Sequence, residues 1–544
     1  MRSFRRSVWL ALLIPSLSIA QTGSSSRITA TEIDGHLRFL SSDLLEGRAP
    51  ATRGGRLAAE YIASQLRAFG LKPGLDTSYL QSVPIDVVTA DTATMRLTTD
   101  GKASVTLRYP ADVVMFAGSA AEQSRASGEL VFVGYGAAAP EYRWDDFKNT
   151  DVRGKVLLVL VNDPPATSAE PNLFGGRAMT YYGRWPYKFE EAERRGAAGA
   201  LIVHTTEAAG YPWHTVVGSW AGEQRLLPRP SNAPAPLGVR GWITDSAATA
   251  LLRPAGLDLA ELRERATRRD FQPVQTGITV DLGFRNKVEH LRSENVVGVV
   301  RGSDAKLRDQ YVLFSAHWDH FGIGVPVNGD SIYNGAEDNA SGTSDLLAIA
   351  RAAAAGTAPR RSLMFVFVTA EESGLLGSGY YAEHPTVPIE HVVANLNVDG
   401  GNLLGRVKDL SVLGDTKSSL GPALTSFVRS RAMTLSPDPH PERGYFYRSD
   451  HFSFAKVGVP SVSIGAGNDY VGRPKGWGEA QGEDFTAHRY HQPSDEYRPD
   501  FDLTGAVQLS EIVLGFGRWL ANTATVPAWN ADAEFRAIRK PVTE

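Results

Sequence analysis

The chain has 544 residues, a net charge of −4 at neutral pH, and 42% hydrophobic against 21% charged residues. That length exceeds one ordinary domain and predicts about two to four, each large enough to bury its own core. The near-neutral charge excludes the basic footprint of a nucleic-acid binder and the polybasic stripe of a membrane-surface protein, and the lack of cysteine excludes disulfides.

In residues 1–20, Arg2, Arg5 and Arg6 precede the apolar run VWLALLIPSLSIA, which ends in the small residues Ser18, Ile19 and Ala20. Basic flank, short apolar run and small-residue site, in that order, predict a secretory signal peptide over 1–20. No later stretch has the ~20 uninterrupted apolar residues of a membrane helix. The expectation is an exported protein, periplasmic or secreted, with no stable membrane anchor after signal cleavage.

Residues 21–104 read as the N-terminal part of a larger α/β unit. From Ile28 to Leu71 apolar residues recur three and four apart, and Gly70 closes the second run as a helix C-cap. Over 105–275 the texture changes to short β-rich runs, GELVFVGYG, GKVLLVLVNDPP and GALIVHTT, with the helix-like YKFEEAERRGAAGA between them. They read as a small inserted module. From 276 to 525 apolar runs such as YVLFSAH, SLMFVFV and HVVANLNVD alternate with amphipathic helices such as TSDLLAIARAAAAG. Strands apolar on both faces predict an α/β fold, with a mixed, largely parallel central sheet and helices on both sides. Residues 526–544 form a C-terminal tail.

In an open sheet of this kind the working site lies beyond the carboxyl ends of the strands. Three strand ends here carry His317, Asp319 and His320; Glu371 and Glu372; and Asp399, while two loops carry Asp338 and His491. A lone acid at a strand end is an ordinary loop residue, and Glu371-Glu372 alone could sit at a helix N-terminus. Together they are the oxygen and imidazole donors that bind zinc, and a pair of ions additionally needs one bridging carboxylate. His320, His451, His488 and Asp450 lie near these clusters and read as decoys.

The segments SAHWDHFG, NGAEDNASG, VTAEESGLLGS, NLNVDG, SDHFSFAKVGVPSV and YHQPSDEY, in this order, resemble family twenty-eight of the metallopeptidases, dizinc aminopeptidases related to glutamate carboxypeptidase II. The opening LSSDLLEGRAPATRGG is similar to that family's start, and GELVFVGYGAAAPEYRWDDF is similar to an inserted protease-associated domain. The resemblance implies a zinc-dependent exopeptidase fold and two Zn2+ per chain. His317 and Asp399 would complete one ion, Glu372 and His491 the other, with Asp338 bridging and a cis peptide after it. It implies Glu371 as general base and Asp319 as the carboxylate that orients His317. Tyr490 and Tyr447 are two candidates for the oxyanion or for substrate contacts, each equally readable as a core aromatic.

The leading functional reading is an exported aminopeptidase acting on peptide substrates. A carboxypeptidase or dipeptidase, with Arg443 or Arg448 holding a substrate carboxylate, is the alternative enzyme. A non-catalytic binding protein on a peptidase scaffold is the alternative of another class, and it predicts missing ligands, whereas every ligand position is filled. Oligomeric state is not written in the sequence.

Overall fold

The computed structural model describes residues 26–101, 105–230 and 232–541, so the expected signal peptide lies outside the described residues. The central strand order is Thr434–Ser436, Asp409–Leu413, Ser461–Ala466, Val392–Asn397, Tyr311–His317, Ser362–Val368 and Val274–Val300. The Tyr311–His317 strand pairs in parallel with both neighbours, and Val392–Asn397 pairs in parallel with Ser461–Ala466. Antiparallel pairs flank this parallel centre. The sheet is mixed and mostly parallel at its middle, as the sequence predicts.

Why those strands read as unbroken apolar runs is visible in their side chains. Leu363, Phe365 and Phe367 enter one core, with residues of helices Gly342–Ala355 and Thr504–Asn522. Met364, Val366 and Val368 alternate into a second core with Tyr381 and Phe454 on the opposite face. Successive strand residues point to opposite faces, so a sheet covered on both sides needs apolar residues at every position.

The same sheet continues past Val274–Val300 into Gln123–Phe132, Val156–Leu160, Gly199–His204, Val239–Thr244 and Val113–Ala117. A ribbon of Leu80–Gly101 paired with Val274–Val300 accompanies the crossing. This outer part again has two cores. Leu158 and Leu160 face helices Asp245–Leu252 and Leu259–Ala266, whereas Leu157 and Val159 face Trp185–Arg194. It is therefore layered with helices on both faces, where the sequence suggested a mainly β-rich module. The last described residues also pack, for Trp529 and Phe535 are buried against Phe446 and Phe452. Among the described residues no helix is long and apolar enough to cross a membrane.

Candidate metal centre

Register brings the chemistry together. His317 stands opposite Val368, and Ser315 opposite Asn397, so three adjacent parallel strands end nearly level. The residues that follow, Glu371, Glu372 and Asp399, therefore emerge beside His317 at one edge of the sheet. Ala370 adopts a left-handed φ of 54° just before the two glutamates, and its side chain is held in a small core with Val83, Ile85 and Val87.

Asp338 is the hub. One oxygen lies 3.4 Å from His317 Nε2 and the other 3.3 Å from His491 Nε2. His317 Nε2 is also 3.2 Å from Asp399 Oδ1, and His491 Nε2 is 3.3 Å from Glu372 Oε2. Two triads thus share one carboxylate: His317 with Asp399 on one side, His491 with Glu372 on the other. Ligand atoms of His317, Asp338 and Asp399 all lie within 4.8 Å of one another, as do those of His320, Asp338 and Glu372. The five residues that the resemblance implies are brought together, and the Asp338-Asn339 peptide is cis.

The donors are held from behind. Asp495 is buried and accepts the backbone N–H groups of Glu337 and Asp338 at 2.9 and 3.0 Å, which ties the His491 loop to the Asp338 loop. Asn339 Oδ1 accepts from Gly342 and Gly400 N–H, both at 2.9 Å, which ties the Asp338 loop to the Asp399 loop. Arg48, fully buried, donates to the carbonyls of Leu40, Trp318, Asn334 and Gly335, fastening the N-terminal segment under two of the ligand loops. Burial lowers its pKa to about 10, so it stays charged. Asp495 and Arg48 were not singled out in the sequence, since a buried tie between backbone groups leaves no spacing pattern.

Asp319 is buried, with Oδ1 accepting the Glu371 N–H at 3.1 Å and lying 3.9 Å from His317 Nδ1. Its Oδ2 has no hydrogen-bond partner. Its carboxylate therefore positions the backbone of Glu371 and stands just outside hydrogen-bond reach of the His317 ring, whose Nδ1 lies 3.3 Å from the Asp319 backbone carbonyl instead.

His320, offered by the sequence as a decoy, instead joins the cluster. Its Nδ1 lies 2.7 Å from Glu372 Oε1, the oxygen turned away from His491. Burial pushes its pKa down to about 4, and the neutral ring can donate to the carboxylate in its Nδ1–H tautomer. The other decoys fall apart: His488 is exposed at the end of helix Trp477–His488, paired with Asp484, whereas Asp450 and His451 are buried behind the site without hydrogen-bond partners.

The two tyrosines separate clearly. Tyr490 is 46% exposed and stacks on His491 with ring centroids 3.7 Å apart, so its hydroxyl can approach a substrate. Burial of the hydroxyl end and repulsion from Asp338 and Glu372 raise its pKa, keeping the phenol protonated. Tyr447 is corrected: it is buried, donates to Glu534 Oε1 at 2.5 Å and receives Lys417 Nζ at 3.0 Å. A hydroxyl spent on that ion pair is a core contact, not an oxyanion donor.

The electrostatics fit dications. Burial raises Glu371 well above the usual carboxylate range, with repulsion from Glu372 and Asp399 adding to it, and burial with repulsion from Asp338 does the same to Glu372. His317 is raised because Glu371 and Asp399 outweigh its burial, while Asp338 is held low because the facing imidazoles of His317 and His491 outweigh its burial. His491 Nε2 makes no well-aligned hydrogen bond to either carboxylate that it faces. Buried acids that outnumber nearby cations, with imidazole nitrogens aimed between them, form a donor set suited to zinc.

Comparison with known proteins agrees with this geometry. Residues 295–516 match the model of Peptidase family M28. This match covers less than half of the chain. It contains all five clustered donors and Glu371. Mouse Aminopeptidase NAALADL1 is 36% identical over 129 residues, 23% of this chain and 16% of the relative. A probable leucine aminopeptidase 2 of Aspergillus oryzae is 27% identical over 228 residues, 40% of this chain and 43% of the relative. The chain thus spans less than half the length of the curated relatives it matches. Among solved structures, an aminopeptidase from Aneurinibacillus sp. strain AM-1 shares the fold, with a TM-score of 0.50 and 19% identity over 92% of this chain and 96% of the other.

Proposed function

We propose that the protein is an exported metallo-aminopeptidase that removes N-terminal residues from peptides with two zinc ions and a glutamate base. The observation that carries this reading is the division of Asp338 between two histidines, one per carboxylate oxygen. His317 and Asp399 would hold one ion, and His491 and Glu372 the other. Zinc in such a pair polarises a carbonyl and lowers the pKa of a water molecule.

The chain's own residues supply the rest. Glu371 is the acid next to Glu372, within 4.8 Å of His317, and its raised pKa suits a group that takes a proton from water and returns it to the leaving amine. Asp319 fixes the Glu371 backbone, His320 holds the outer oxygen of Glu372, and Tyr490 can donate to the oxyanion from its place over His491. A cleft of about 280 Å³ beside Asp399, with Gly400, Gly401, Leu404 and Tyr470 in its walls, suits one side chain of the substrate. Export is supported by the order of basic flank, apolar run and small residues in 1–20. The part between the ribbon strands is proposed as a protease-associated domain beside the cleft.

Purified protein supplied with zinc should hydrolyse Leu-p-nitroanilide and carry close to two zinc per chain. Cleavage of N-acylated dipeptides alone would overturn the aminopeptidase reading in favour of a carboxypeptidase.

A further inference from the structure

Between His320 and Asp338 the chain forms a hairpin outside the main sheet. Strands Gly322–Val327 and Asp330–Tyr333 pair antiparallel, with Gly322 opposite Tyr333 and Val327 opposite Asp330. Asn328 and Gly329 turn the tip with φ of 54° and 92°, the two positive values that a tight type I′ turn requires. Among the described residues the two strands pair only with each other.

A solvated ribbon would carry polar side chains, and this one carries apolar ones. Phe321, Ile323, Val325 and Val327 recur at every second position along its first arm, and all four are exposed, Ile323 to 65% and Val325 to 78%. Other exposed large apolar residues among those described, such as Leu57, Leu291 and Trp519, are scattered along the chain. Single residues of that kind are ordinary on a surface, whereas a contiguous ridge of them marks a place that something covers.

The ridge is fixed at its base. Arg48 donates to the carbonyls of Trp318, Asn334 and Gly335, which holds both ends of the hairpin, and Asn334 Nδ2 donates to Ser41 O and Asp43 Oδ1 at 2.9 and 2.8 Å. The arms are braced as well: the Tyr333 hydroxyl donates to Val325 O at 3.0 Å, and a Cβ on Gly324 would stand 2.6 Å from the Tyr333 ring.

Its inner end touches the metal centre. The Phe321 ring lies 4.6 Å from the His491 ring and 5.0 Å from that of His320, centroid to centroid. The cleft assigned above to one substrate side chain lies beside Asp399, across Asp338 from His491. A peptide laid over Asp338 with its first side chain in that cleft therefore runs past His491 and onto the hairpin. From Phe321 to Val327 the arm extends up to about 20 Å at ~3.3 Å per residue, which outreaches a dipeptide. Pro326 lacks an N–H and the register breaks between Ile323 and Val327, which blunts the arm as a template for strand pairing between copies of the chain. What it offers is side-chain contact.

We propose that the hairpin of residues 321–333 is an apolar subsite for the part of a peptide that follows the scissile bond. This rests on the aminopeptidase reading above and narrows its substrates to oligopeptides whose third to fifth residues are aliphatic. The driving force is burial of apolar area against Ile323 and Val325, so hydroxylated and amide side chains of the same size bind less well.

The test compares kcat/KM for Leu-Ala-Val-Leu-Val with that for the size-matched Leu-Ala-Thr-Asn-Thr within each zinc-supplied protein, so damage common to both substrates cancels. The wild type should favour the apolar peptide by roughly 10- to 100-fold, the range for partly burying two or three aliphatic side chains. Ile323→Ser combined with Val325→Ser should bring the ratio towards one, whereas Ile323→Leu combined with Val325→Ile should keep it. A ratio near one in the wild type overturns the proposal, as does a ratio that the double serine variant leaves unmoved. Reduced-bond forms of both peptides, which cannot be hydrolysed, give the same comparison by calorimetry. A preference there, without cleavage of the parent peptides, would sustain the subsite and overturn the aminopeptidase reading. Sedimentation tests the other occupant: a wild-type dimer that the double serine variant turns into monomer would assign the ridge to a second copy of the chain and overturn the proposal.

Discussion

Buried charge is handled in opposite ways in the two parts of the molecule. In the outer part it is neutralised within the chain: Glu193 lies 2.6 Å from Arg240 and 2.9 Å from Arg229, Glu191 meets Arg194 and Arg195, and the buried Lys188 ammonium is favoured by the charges of Asp163 and Asp146. At the ligand cluster Asp338, Glu371, Glu372 and Asp399 crowd together, and the buried cation behind them, Arg48, is occupied by carbonyls. The crowding of acids at this cluster leaves a place for an external cation.

The sharpest way to break this comparison is to remove the hub. Asp338→Ala should abolish turnover and leave less than one zinc per chain by elemental analysis; retention of two ions would mean that the cluster is not organised around this carboxylate. Glu371→Gln is the next largest. General-base loss lowers kcat by about 10²- to 10⁴-fold, while the zinc content should stay near that of the wild type, because the ligand set is untouched. A variant that is inactive because it has lost zinc would contradict the division of work between Glu371 and Glu372.

His320→Ala should weaken zinc binding by roughly 10- to 100-fold, the usual loss when a group orienting a ligand is removed. Competition with a chelator measures it, and an unchanged affinity would return His320 to the role of bystander. The smallest effect on turnover is expected in the outer part. Glu193→Gln strands Arg229 and Arg240 and should cost about 3 kcal/mol of stability in denaturant unfolding, as broken buried pairs do, with kcat on Leu-p-nitroanilide close to wild type. If chelation lowered the unfolding midpoint as little as it would in a protein without a metal, the contrast between the two parts would be lost.

Much of this was legible before any coordinates. The alternation of double-faced apolar strands with helices predicts the sheet, because the two-residue period of a strand leaves every position apolar only when both faces are covered. Strand ends and small-residue loops offer His317, Asp319, His320, Asp338, Glu371, Glu372, Asp399 and His491 as donors because that chemistry is local in the chain, and the family resemblance picks His317, Asp338, Glu372, Asp399 and His491 among them. His320 and Tyr447 were not legible in the same way. Each is adjacent to a motif, and adjacency does not say whether a side chain turns towards Glu372 or towards Glu534 and Lys417.

The sequence by itself determined which strands are buried on both faces and which donors could meet, since side-chain period and residue type are properties of short segments. Only the tertiary structure decided the rest. It settled that Asp338 faces two histidines, that Arg48 and Asp495 brace the ligand loops from segments almost 450 residues apart in the chain, and that Tyr447 is spent in the core. These depend on the register of long-range pairings and on which buried charges find partners, and no local pattern encodes that balance.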